Sequence, residues 1–195
     1  MEDGPNKYQR APWVIESGWL NVARACPSPN YNERPESEIS LLVIHNISLP
    51  PGEFSNGCIE KLFTNQLETS LHPYFEQLKE LEVSAHLLIT RDGEIVQFVA
   101  FDKRAWHAGL SRFEGRDNCN DFSIGIELEG TDDLPYTEMQ YKHLIQVSQL
   151  LIKSYPQLNT DRVTGHQHIA PGRKTDPGHY FDWDYFRAAL VKDSI

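Results

Sequence analysis

The sequence predicts an α/β protein, one domain built on a central mixed β-sheet flanked by helices. Three observations carry that prediction. Apolar runs of strand length, at residues 39–44 and 123–129, alternate with stretches of helical periodicity at 141–151 and 183–190, the order of elements that packs helices onto a sheet. An Asp92-Gly93 step lies between two further apolar runs and marks a tight hairpin, so one strand pair is antiparallel and the sheet is mixed. A chain of 195 residues fits one domain able to bury roughly two thirds of its unfolded surface.

Taken in order, residues 1–12 read as a flexible tail and residues 13–195 as the domain. Pro27 to Pro35 is extended or turning chain, since its prolines bar a helix. The run Ile39-Ser40-Leu41-Leu42-Val43-Ile44 reads as a buried strand closed by His45. Leu49-Pro50-Pro51-Gly52 breaks the backbone, and residues 58–63 form a short helix. Residues 85–99 supply the hairpin strands. In residues 123–129, Ile124, Ile126 and Leu128 face one way while Gly125, Glu127 and Glu129 face the other. Thr137 and Gln140 have capping-box spacing, and the stripe Tyr141, Leu144, Val147, Leu151 follows until Tyr155-Pro156 ends the helix. Arg162-Val163-Thr164 is a short strand leading into residues 165–178, a segment whose Pro and Gly leave room for neither helix nor strand. Asp182 caps a last helix that buries Trp183, Phe186 and Leu190.

Composition excludes several classes. A net charge of −10 argues against nucleic acid, which calls for a basic face. No apolar run approaches the roughly 20 residues of a membrane span. Cys26, Cys58 and Cys119 cannot all pair within the chain, which suggests free thiols in a reducing compartment. Residues 1–7 open with acids and a proline and lead into no apolar stretch, so the expected location is the cytoplasm.

The chemistry concentrates in the 165–178 segment, which holds His166, His168, Arg173, Lys174 and Asp176. Two histidines and an aspartate from separate strand ends can supply three ligands to zinc and leave a fourth position for water, as in catalytic sites. Spacing does not decide which of the eight histidines would bind. Nor does periodicity choose between Glu127 and Glu129, which share a strand face about 6.5 Å apart; either, read alone, is a solvated strand-end charge.

Five segments in order carry a resemblance: Val43-Ile44-His45-Asn46, Ser84-Ala85-His86-Leu87, Ala105-Trp106-His107-Ala108-Gly109, Ser123-Ile124-Gly125-Ile126-Glu127, and His166 through Gly178, with Asn118-Cys119-Asn120-Asp121 between them. Together they resemble the zinc-dependent N-acetylmuramoyl-L-alanine amidases of the type 2 family, which includes the peptidoglycan recognition proteins and bacteriophage amidases. The likeness runs from about residue 18 to about residue 190 and is strongest to the cytoplasmic recycling branch, which acts on 1,6-anhydro-N-acetylmuramyl-L-alanine. It implies zinc held by His45, His166 and Asp176, Glu127 as general base, and Lys174 stabilising the oxyanion. It also implies substrate contacts from Asn46, Tyr74, Trp106 and Arg173, although Trp106 reads almost as well as a core residue. His86 and His107 are expected behind the ligands or in the core, and His168 and His179 outside the site. The expected partner is a small anhydro-muropeptide met by a monomer, with no membrane and no nucleic acid.

Two positions depart from the pattern: Asn118 and Glu82 stand where relatives carry arginine, with Arg116 nearby, which leaves the anchor of the acidic peptide stem open. The competing class is a non-catalytic peptidoglycan-binding module; modules of that kind typically lack a metal ligand, whereas this chain keeps all three.

Overall fold

The computed structural model describes residues 12–192; of the expected tail, residues 1–11 lie outside it. The apolar runs form a six-stranded sheet of β1 (Arg24–Ala25), β2 (Leu41–Ile47), β3 (Leu87–Ile89), β4 (Ile95–Gln97), β5 (Ser123–Glu129) and β6 (Val163–Gly165). Their lateral order is β6-β2-β5-β3-β4-β1, and every neighbouring pair is parallel except β3–β4. The antiparallel pair is joined across the Asp92-Gly93 turn, where Gly93 takes the positive φ of 91° that the step calls for.

The inner strands are buried on both faces, which is why Leu41 to Ile44 is an unbroken apolar run rather than an alternating one. On one face Leu42, Ile44, Ile124, Ile126 and Leu128 pack under two helices, α2 (Glu138–Ser154) and α4 (Trp183–Lys192). Helix α2 begins at the expected capping box, Thr137 accepting from the Gln140 backbone and Gln140 from the Thr137 backbone. It turns Tyr141, Leu144, Val147 and Leu151 inward. Phe186 and Leu190 of α4 are buried and Trp183 is half-buried. The opposite face carries α1 (Cys58–Phe63) over Leu88 and Val96, and a second apolar group in which Leu41 and Val43 meet Ala108, Cys119 and Phe122.

One expectation is corrected. The 165–178 segment is not wholly irregular: His166–Ile169 winds one helical turn, α3, before Pro171 and Gly172 redirect the chain. The first proline lies five residues beyond His166, leaving space for a single turn. The three cysteines are free thiols. Among the described residues no helix is long and apolar enough to cross a membrane.

Candidate metal centre and its cavity

Strand register alone brings the main groups together. β5, β2 and β6 are neighbouring parallel strands, so their carboxyl ends open on the same side of the sheet, where open α/β sheets place their sites. Glu127 pairs with His45 across β5–β2, and Gly165 pairs with Ile44 across β6–β2, so His166 follows beside His45. Asp176 returns from the far end of the loop, where its carbonyl accepts the Gln167 N–H at 2.9 Å.

His45 Nδ1, His166 Nδ1 and Asp176 Oδ2 lie 3.0–3.1 Å from one another. Ligand atoms at about 2.0–2.1 Å from a tetrahedral zinc are roughly 3.3 Å apart, so little adjustment separates this cluster from a coordination shell. The outward nitrogen of His166 is held by the backbone. His166 Nε2 lies 3.1 Å from the Ala108 carbonyl, which only accepts; Nε2 therefore carries a proton, and Nδ1 is the nitrogen left to face a metal. Burial pushes the His45 imidazole down to about 4, which keeps it neutral. Two imidazole nitrogens and a carboxylate oxygen thus converge on one point in a buried pocket, each able to offer a lone pair to a cation placed among them. The donor set fits a metal ion.

Beside this cluster Glu127 is buried, and among the described residues its Oε2 has no hydrogen-bond partner. Burial first, and the Asp176 charge second, raise its carboxyl well above the ordinary value, with Lys174 pulling the other way. Lys174 lines the same cavity on an exposed stretch of loop. Glu129 proves to be a different kind of residue from a solvated strand-end charge. It is buried, and its two oxygens accept the backbone N–H groups of Ser55 at 2.6 Å and Arg91 at 3.1 Å. The rival carboxylate is thus committed to holding loops, whereas Glu127 is unencumbered.

The cavity encloses about 840 Å³ and takes in the three donors, Glu127 and all four of the expected substrate contacts. Asn46 Nδ2 donates to Asp132 Oδ1 at 2.8 Å, and the Trp106 indole N–H to Asn32 Oδ1 at 2.7 Å, which leaves that half-buried ring as cavity wall rather than core. Arg173 donates to the Ala108 and Leu110 carbonyls, so part of its guanidinium serves the loop. Tyr74 lies in the wall with Leu62, Phe63 and Leu78, an apolar side facing the charged one. Asp132 and Asp133 also reach the rim; nothing in their spacing from Glu127 signals it, because the turn after β5 is what carries them there. His168 and His179 stand apart from the cluster. His86 is core, its Nδ1 accepting the Gly125 N–H at 3.0 Å.

Known proteins share the sequence pattern and the fold of this chain. The profile of the N-acetylmuramoyl-L-alanine amidase family matches residues 35–179. The 1,6-anhydro-N-acetylmuramyl-L-alanine amidase AmpD of Salmonella typhimurium (strain SL1344) is 59% identical over 180 residues, 92% of this chain and 96% of that protein. The crystal structure of a Se-Met AmpD derivative superposes with a TM-score of 0.89 at 57% identity, covering 91% of this chain and 99% of the other. AMPDH3 from Pseudomonas aeruginosa in complex with anhydromuramic pentapeptide superposes at 0.57 with 29% identity, covering 80% of this chain and 61% of that one.

Proposed function

The chain belongs to the N-acetylmuramoyl-L-alanine amidase family, and from that membership we propose that it is a zinc-dependent amidase of cytoplasmic cell-wall recycling. Its reaction is hydrolysis of the amide bond between 1,6-anhydro-N-acetylmuramic acid and L-alanine in a small soluble muropeptide. The observation that carries the reading is the buried triplet His45, His166 and Asp176, with an unpartnered carboxylate oxygen of Glu127 beside it.

Zinc held by the three donors would act as a Lewis acid on the scissile carbonyl and ease deprotonation of water. Glu127 takes a proton from the attacking water and passes it to the departing alanine nitrogen, so water and amide become acid and amine. Its raised affinity for a proton suits a group that must both accept and return one. The Lys174 ammonium balances the charge that grows on the carbonyl oxygen. Trp106 and Tyr74 wall the apolar side of the substrate path, while Asn46 and Arg173 offer polar edges to the peptide. Three free thiols accord with a reducing compartment.

Incubation with anhydro-muropeptides and with intact sacculi, with and without a chelator, tests this reading. Rapid release of the peptide from the soluble substrate, abolished by chelator, is expected. Equal rates on sacculi would move the chain to wall lysis, and chelator-resistant cleavage would remove zinc from the mechanism.

A further inference from the structure

The Trp106-His107-Ala108 segment stands behind both histidine donors. The Ala108 carbonyl takes His166 Nε2, and His107 Nδ1 lies 2.9 Å from His45 Nε2. On its other side His107 Nε2 is 3.1 Å from the hydroxyl of buried Ser123. The segment is itself clamped, since the side-chain oxygen of buried Asn120 accepts both the His107 and Ala108 backbone N–H groups at 3.1 and 2.8 Å.

β5 is shaped to receive this ring. Ser123, Gly125 and Glu127 follow one another on one face of the strand. A Cβ at Gly125 would lie 2.5–2.7 Å from His107 Cγ, Nδ1 and Cδ2, so only glycine lets the imidazole lie against the strand. One face thus carries, at alternate positions, the ring's hydrogen-bond partner, the space for the ring, and the proposed base.

We propose that His107 is a positioning residue for His45, holding its imidazole in the tautomer that leaves Nδ1 bare toward the metal, with Ser123 and Gly125 seating His107 for that task. The proposal rests on the metal reading above. Its direction follows from the chemistry of the ends. A metal at His45 Nδ1 requires the His45 proton on Nε2, which then donates to His107 Nδ1. His107 in turn carries its proton on Nε2 and donates to the Ser123 hydroxyl, which accepts as readily as it donates. Partners of this kind behind a ligand typically change metal affinity by about 10–100-fold when removed.

The test is zinc affinity by chelator competition, with the visible spectrum of the cobalt-loaded protein as a second readout. Binding of about one zinc by the unmodified chain is the prior condition; a chain that takes up no zinc overturns the metal reading, and this inference with it. Given that uptake, His107→Phe is expected to weaken zinc about 10–100-fold and to shift the cobalt spectrum. His107→Asn, whose amide oxygen can stand where Nδ1 stood, should recover most of the affinity, and Ser123→Ala should give a smaller loss. Unchanged zinc affinity in His107→Phe, or an Asn variant as weak as the Phe variant, would overturn the role of His107 while leaving the amidase reading intact. Should His107→Phe not fold by circular dichroism, Ser123→Ala decides, since wild-type affinity and spectrum in that variant would overturn the proposal.

Discussion

Glu127 and His45 stand side by side at one register position of two central parallel strands. A proposed base and a proposed ligand are therefore separated by a backbone spacing of about 4.8 Å that no loop motion alters. Their neighbour His166 follows the end of β6 at the start of α3, and Asp176 returns from the loop beyond it, so mutation of these two tests the metal site.

His166→Ala should bring the chain to near-zero zinc, because two remaining donors hold the ion poorly. In the unmodified protein, zinc at 100 times its dissociation constant should add about 2.7 kcal/mol of stability, or roughly 5–10 °C in Tm. Metal analysis after gel filtration and melting with and without chelator check both. A full zinc complement in His166→Ala would remove it from the ligand set.

Glu127→Ala and Lys174→Ala should each fold and keep zinc while losing turnover. Loss of the proton carrier at Glu127 should lower kcat by about 10²–10⁴-fold. Loss of the Lys174 ammonium should lower it roughly 10²-fold or more and, through contact with an acidic peptide, raise KM as well. Steady-state kinetics on an anhydro-muropeptide separate the two patterns.

Glu129→Ala should damage stability rather than chemistry. The substitution leaves the Ser55 and Arg91 N–H groups without the acceptor they now share, a loss of about 3 kcal/mol for two bonds to a buried carboxylate. Urea unfolding measures it. A midpoint equal to that of the unmodified protein would contradict the structural role.

His86 should make the protein acid-sensitive even without metal. Burial, with the nearby Arg34 guanidinium adding to it, pushes its imidazole down to about 3. Its Nδ1 already accepts the Gly125 N–H, so a proton there has no place. Between the ordinary value near 6.5 and about 3 the unfolded chain binds a proton here that the folded chain refuses. Stability is therefore complete above that window and falls as pH drops through it, by ~1.4 kcal/mol per pH unit from this residue. Urea midpoints at pH 7 and pH 5 report the slope, and NMR of the His86 ring should show it neutral at pH 5.

Local physics made much of the fold legible. The Thr137/Gln140 box and the stripe behind it act over a few residues, as does the Asp92-Gly93 turn, and all three appear in the structure where periodicity and turn chemistry set them; the apolar run before His45 is a strand too, but it starts at Leu41 and runs through His45 to Ile47. The resemblance assembled the five motifs and named the candidate ligands. What the residues alone left open was decided by tertiary structure. A period of two puts Glu127 and Glu129 on one face of a strand, and no property within the strand tells them apart. Ser55 and Arg91, 74 and 38 residues away in sequence, occupy both oxygens of Glu129 with their N–H groups and leave Glu127 free. The same holds for His107: its tie to His45 spans 62 residues, and its seat depends on the missing side chain of Gly125 on another strand. Propensity and pattern are short-range quantities, whereas hydrogen-bond partners and close approaches between distant segments exist only once the sheet has its register.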